Sequence, residues 1–334
     1  MFTIGRLLFG FALLLTPLVL LTAPVAAQPY LHTWVASYGT DNNSCGSPGS
    51  PCATFFGAYT NTSAGGEITC LNAGAYSTLT ITKSITVDCE YSFASNAQAD
   101  GNPTYFDVEP LTPGIVVTLR GLDLDFAGQS GASTVHCAPN IGVIVFDGAG
   151  GVLHLQKLKI SHWVGPNCGI FFAPFGTGTL DITDCDITDN GTSGIGAGVY
   201  IKPQDSNAQA IVTITRSQIQ GNYFGIFGDG RSGGTIRATI KDSVVSGNTE
   251  NGITAVSSGA SVVFMIDQTE VSGNLAAGLF AGGSNAGILA RNSTVYGNAI
   301  GLDAASGGTL FTYGNNSVNG NATNGAFTGT AGLQ

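Results

Sequence analysis

The chain has 334 residues, 43% of them hydrophobic, which is long and apolar enough for a sizeable core and excludes a wholly disordered polymer. Charged residues are only 10% of the total, far below the usual ~25%, and glycine fills 49 positions, so a charge-laced helical protein is excluded too. The net charge of -10 comes with no cluster of lysine and arginine, which excludes phosphate-backbone binding and leaves no nucleic-acid partner.

The amino-terminal segment 1–27 reads as a secretory signal: Arg6, an apolar run from Leu7 to Leu21, then small residues at Val25-Ala26-Ala27. Pro17 interrupts the run, which at about 15 residues is short of the ~20 that span a bilayer. The mature chain is therefore expected to begin at Gln28, to lie outside the cytoplasm, secreted or periplasmic, and not to span a membrane. Six of the seven cysteines pair by proximity in sequence, Cys45 with Cys52, Cys70 with Cys89, and Cys137 with Cys168, although spacing alone leaves other connectivities open. Cys185 is left over and is read as a small inward-facing residue.

Internal repeats organise the rest. Asn190, Asn222, Asn248, Asn274, Asn298 and Asn321 recur at intervals of 32, 26, 26, 24 and 23 residues. Three residues before each stands an aliphatic side chain, Ile187, Ile219, Val245, Val271, Val295 and Val318. Eight before stand Ile182, Ile214, Ile240, Ile266, Ala290 and Tyr313, and ten before stand Leu180, Val212, Ala238, Phe264, Ile288 and Phe311. Alternating apolar positions with β-branched side chains predict strands of four to six residues separated by tight turns. A unit of ~24 residues cannot bury its own apolar side, so the units must stack. Stacked at the ~4.8 Å interstrand spacing, the asparagines form a ladder of carboxamides. Five before each asparagine runs a small inward column, Cys185, Ser217, Ser243, Thr269, Ser293 and Asn316.

These repeats resemble the right-handed parallel β-helix proteins of the pectin-lyase-like superfamily, many of them secreted by bacteria. The resemblance implies an all-β, single-stranded right-handed parallel β-helix (a solenoid) of about ten coils; a propeller or sandwich would show hairpins instead. The leading segment is similar to how such proteins begin, with a strand at Thr33-Trp34-Val35-Ala36, Gly65-Gly66-Glu67-Ile68 further on, and a short capping helix near Cys52 to Asn61. The expected division is a strand and cap over 28–66, coils over 67–325 and a tail over 326–334. Val117, Leu119, Leu124, Leu153, Leu155 and Ile160 are inward candidates in the earlier coils, whereas 90–113 and 128–150 depart from the period and read as loops.

Six before each asparagine, Lys157, Asp184, Arg216 and Asp242 alternate in sign, beside Lys241, Asp267 and Arg291; both sets read as structural ladders of opposite charge. Four and two before each asparagine lies an outward face that includes Gln218, Gln220, Glu270 and Tyr296, suited to hydrogen-bonding an extracellular or cell-wall polysaccharide. The hydrolase signatures of the superfamily are absent; Tyr200-Ile201-Lys202 is the nearest approach to one. For a lyase, the constellation is Lys159 as base with His162 beside it, and Asp186 and Asp189 on the next coil to hold Ca2+. His32, His136 and His154 show no metal-ligand spacing. The expected function is a non-catalytic β-helix protein engaging an extended polysaccharide or surface partner. A polysaccharide lyase and a structural or adhesive protein are the alternatives.

Overall fold

The computed structural model describes residues 29–42, 44–92, 94–95, 104–126, 137 and 142–332. The signal segment and His136 lie outside the described residues. Three parallel sheets, of twelve, nine and nine strands, run side by side along one axis, and the chain visits them in a fixed order, coil after coil. Among the described residues no helix is long and apolar enough to cross a membrane.

The repeat in the sequence maps directly onto this path. Strands such as Gln209–Thr215 and Thr235–Lys241 form the first sheet. A tight turn leads to a three-residue strand of the second sheet, such as Gln218–Gln220 or Val244–Ser246. The asparagine then turns the chain into the third sheet, as in Phe224–Asp229 or Ile253–Val256. The aliphatic columns lie in register: Leu180 pairs with Val212, Val212 with Ala238, and Ile187 with Ile219. Val117, Leu119, Leu124, Leu153, Leu155 and Ile160 are all buried in the same continuous core.

The asparagines face inward at the corner. Asn248 Oδ1 accepts from the Asn222 backbone N–H at 3.0 Å and from its side chain, and Asn248 Nδ2 donates to Asn274 Oδ1 at 2.8 Å and to the Ile219 carbonyl. The same pattern joins Asn190 to Asn222, Asn274 to Asn298 and Asn298 to Asn321. The residue just before each asparagine takes a positive φ, which is why glycine stands there in five coils while Asp189 (φ 56) fills the place in the sixth; His162 (φ 63) holds the same turn position before Trp163 one coil earlier. In the small inward column the Ser217 and Ser243 hydroxyls cap the backbone N–H of the coil before. Cys185 belongs to this column and is buried, and that burial pushes its thiol up to about 11. The three expected disulfides, Cys45–Cys52, Cys70–Cys89 and Cys137–Cys168, are formed.

The helix Phe55–Asn61 falls within the expected cap. It starts at Thr54, whose hydroxyl accepts from the Gly57 N–H, and Thr54 is in turn held by Asp41. Phe55 packs on Tyr76 and Phe106 and closes the amino-terminal end of the core.

Three expectations need correction. In the last coil Ile288 pairs with Leu310 and Ala290 with Thr312, so Leu310, not Phe311, is the core residue and Thr312, not Tyr313, occupies the next place. The turn before Asn321 is one residue longer there, and a single-residue shift exchanges the two faces of a strand. The stretches read as loops contain the strands Ala94–Ser95, Phe106–Val108 and Ile144–Phe146, with Phe106, Val108, Ile144 and Phe146 buried. Lys157, Asp184, Arg216 and Asp242 sit on the turns between the first two sheets, each at a positive φ, and not on strands. Their charges still pair: Lys157 meets Glu90, and Arg216 grips Asp184 through two hydrogen bonds of 2.7 and 3.0 Å. Lys241, Asp267 and Arg291 do lie in strand register, with Arg291 on Asp267 at 2.7 Å. Arg216→Asp sets a carboxylate between Asp184 and Asp242 and is expected to lower the melting temperature in a thermal scan; an unchanged midpoint would show that the turn column contributes no net pairing.

Candidate functional site

The strands of the second sheet from Leu122–Asp125 to Thr294–Tyr296 each bury a central aliphatic residue, Val318 in the last strand Ser317–Asn319 is partly buried, and most strands turn the two flanking side chains outward. Register therefore lines up two outer rows. One contains Asp123, Lys159, Asp186, Gln218, Val244, Glu270, Thr294 and Ser317; the other contains Asp125, Ser161, Thr188, Gln220, Ser246, Ser272, Tyr296 and Asn319. Along the carboxy-terminal half the rows brace each other: Gln220 Nε2 donates to Gln218 Oε1 at 2.7 Å and the Ser272 hydroxyl to Glu270 Oε1 at 2.6 Å. Tyr296 exposes more than half of its surface. Ser161 departs from the outward pattern, being fully buried with its hydroxyl unpartnered.

At the amino-terminal end the face deepens into a groove of about 400 Å3 lined by Glu90, Tyr91, Asp123, Lys157, Lys159, Asp184 and Asp186. Lys159 lies in register between Asp123 and Asp186 on neighbouring strands. Burial raises the Asp186 carboxyl above the usual range; Lys159 pulls it back down, and Asp189 adds to the rise. The Arg216 hydrogen bonds hold Asp184 low. The four residues expected as a lyase centre thus divide. Lys159 and Asp186 face this groove, while His162 places Nδ1 on Asp125 at 2.8 Å and Nε2 near Asp189 at 3.8 Å. His32 bonds Thr69 and stacks on Trp34, and His154 pairs with Asp181 at 3.0 Å.

A second grouping lies outside the residues that the repeat points to. Asp107, Glu109 and Asp147, half-buried on the third sheet where Phe106–Val108 pairs with Ile144–Phe146, bring one carboxylate oxygen each within 4.8 Å of the others. Burial, then the neighbouring Asp147 and Glu109, push Asp107 up to about 8; burial and Glu109 push Asp147 up to about 6. One Asp107 oxygen is buried with no hydrogen-bond partner. Three convergent hard oxygens with one orphaned acceptor fit a divalent cation such as Ca2+. Among the described residues this is the one grouping of three such ligands, and neither Asp186 nor Asp189 belongs to it. The signal that could have revealed it is Asp107-x-Glu109, two acids on one face of a strand inside a stretch read as loop.

A family model described as a right handed beta helix region matches residues 142–333. The chain belongs to this right-handed β-helix family. This β-helix is also similar to the crystal structure of pectate lyase Pel9A, with a TM-score of 0.56 and 18% sequence identity over 84% of this chain and 74% of that one, a likeness of fold. No curated protein matches the chain.

Proposed function

We propose that this β-helix is a secreted protein that binds an extended polysaccharide along the outer face of its second sheet. The observation that carries the reading is the pair of side-chain rows in unbroken register from Asp123 and Asp125 to Ser317 and Asn319. Except at Val244 and the buried Ser161, they offer hydrogen-bonding groups every ~4.8 Å to a chain whose hydroxyls also repeat. Gln218, Gln220, Glu270 and Tyr296 are the binding residues, with Tyr296 supplying an exposed ring for stacking. The three disulfides and the leader over 1–27 support secretion. That a pectate lyase shares the fold supports a polysaccharide as the partner.

A second reading is favoured by Lys159, which makes no ion pair among the described residues. In it the protein is a polysaccharide lyase, and Lys159 removes the proton beside a sugar carboxyl while Asp186 and Asp189 hold calcium. A glycan array combined with an absorbance assay for unsaturated products at 235 nm tests both. Binding that falls at least tenfold in a Gln218→Ala, Glu270→Ala, Tyr296→Ala variant, without product absorbance, is expected. Product formation that vanishes in Lys159→Ala would replace the first reading by the second, and absence of any glycan binding would overturn both.

A further inference from the structure

The groove at the amino-terminal end of the second sheet keeps three charged side chains that feel one another through space but are held by no direct contact. Asp123, Lys159 and Asp186 share one outer position on three neighbouring strands. Among the described residues none of the three side chains makes an ion pair or a hydrogen bond, and one Asp123 oxygen is fully buried without a partner. The other charges around the groove are paired, Lys157 with Glu90 and Asp184 with Arg216. Asp123 and Asp186 are partly buried, and carboxylates so placed without a bonded partner are costly in the empty protein, which marks the groove as a place where something else supplies the missing bonds.

The order of signs restricts what that something is. Negative, positive and negative groups follow one another across about 10 Å, two interstrand spacings. A carboxylate ligand drawn to Lys159 lies between two repelling carboxylates, and an ammonium ligand drawn to either aspartate meets Lys159. A hydroxyl donates one hydrogen bond and accepts others, so neighbouring hydroxyls can donate to both aspartates and accept from the lysine at once. Tyr91, almost wholly exposed on the rim of the same groove, adds a flat apolar surface for the C–H face of a sugar ring.

We propose that this groove is a subsite for an uncharged pyranose unit and that it selects neutral glycans over polyuronates. The inference rests on the reading of the second sheet as a glycan-binding face and goes beyond it by naming the substrate class. The test is calorimetric titration of the whole chain, in EDTA, with neutral hexasaccharides (gluco-, manno- and xylo-configured) and with oligogalacturonate and oligomannuronate of the same length. At least one neutral ligand should bind tenfold or more tighter than either uronate. Asp123→Asn and Tyr91→Ala should each weaken that ligand about tenfold, and Tyr91, on an exposed turn, can be removed without threat to the fold. Uronates binding as tightly as the neutral ligands would overturn the proposal. Unchanged affinity in both groove variants, with binding lost on Gln218→Ala and Tyr296→Ala, would also overturn it while leaving the glycan-binding face intact. If the wild-type chain binds none of these ligands, both fall together.

Discussion

Asn248→Ala is expected to lower the free energy of unfolding by about 3–5 kcal/mol and the melting temperature by roughly 10 °C. The side chain is fully buried and takes part in four hydrogen bonds to neighbouring coils. Its loss strands the Asn222 backbone N–H and the Ile219 carbonyl where water does not reach, at about 1–3 kcal/mol each, and leaves a small void besides. Asn321, half-buried in the last coils and bonded outward to Asn324, is the internal comparison. Asn321→Ala should cost about 1 kcal/mol, since water replaces what is lost. Chemical denaturation of both variants reads the difference, and equal losses would show that burial does not set the strength of the column.

The second large effect is a dependence on pH centred on Asp107. Its carboxyl titrates at about 8 in the folded chain, against an ordinary value of 3.8, because burial and two neighbouring carboxylates resist its ionisation. Between those values the folded state holds a proton that the unfolded state has released. Stability contributed here is therefore greatest at or below about pH 4 and declines as pH rises through about 8. Asp147, raised to about 6, adds to the decline over the lower part of that window. Asp107→Asn should remove most of the slope and leave the protein about 2–3 kcal/mol more stable than wild type at pH 8, allowing for partial solvent screening. Millimolar Ca2+ at pH 8 should stabilise the wild type by occupying the three carboxylates, and it should have no such effect on the variant. Melting curves from pH 4 to 9 check this. A wild-type profile that rises across the window would mean that the three carboxylates do not converge as described.

The solenoid was legible because its period is written on interior residues. Asn222, Asn248 and Asn274 must stack on one another, and Ile219, Val245 and Val271 must fill the same slot one coil apart, so the sequence repeats what the geometry repeats. Legibility failed where that bookkeeping slips. Counting back from Asn321 puts Phe311 and Tyr313 inside, whereas one extra turn residue brings Leu310 and Thr312 into those places. Phe106–Val108 and Ile144–Phe146 went unseen because no asparagine column marks those coils, although their inward residues are as apolar as any. The alternating signs from Lys157 to Asp242 were visible, but the positive φ that puts them on turns is a property of the backbone path. Of the candidate site, Lys159 and Asp186 could be found from the repeat. Glu90 and Tyr91 could not, since they reach the groove from a wide turn outside the period, and Asp147 joins Asp107 only after a coil of irregular length has closed.

The carboxamide column also has a direction. Each member gives its hydrogens to the oxygen of the next coil, from Asn190 through Asn321, and Asn324 supplies the final oxygen, so the amide dipoles add head to tail along the solenoid. The two ends are consequently unlike: the first oxygen accepts from the Trp163 backbone N–H, and the last acceptor faces solvent. A coil spliced in with its own asparagine extends this polarity, because it accepts from the coil above and donates to the coil below. A splice without one divides the column into two shorter stacks, the upper with an orphaned donor at its lower end and the lower with an orphaned acceptor at its upper end, while Asn324 still closes the last bond. Recombination of whole coils is thus neutral to the fold only when the unit exchanged carries its asparagine, which explains why a chain that tolerates coils from 23 to 32 residues keeps this one side chain through six of them.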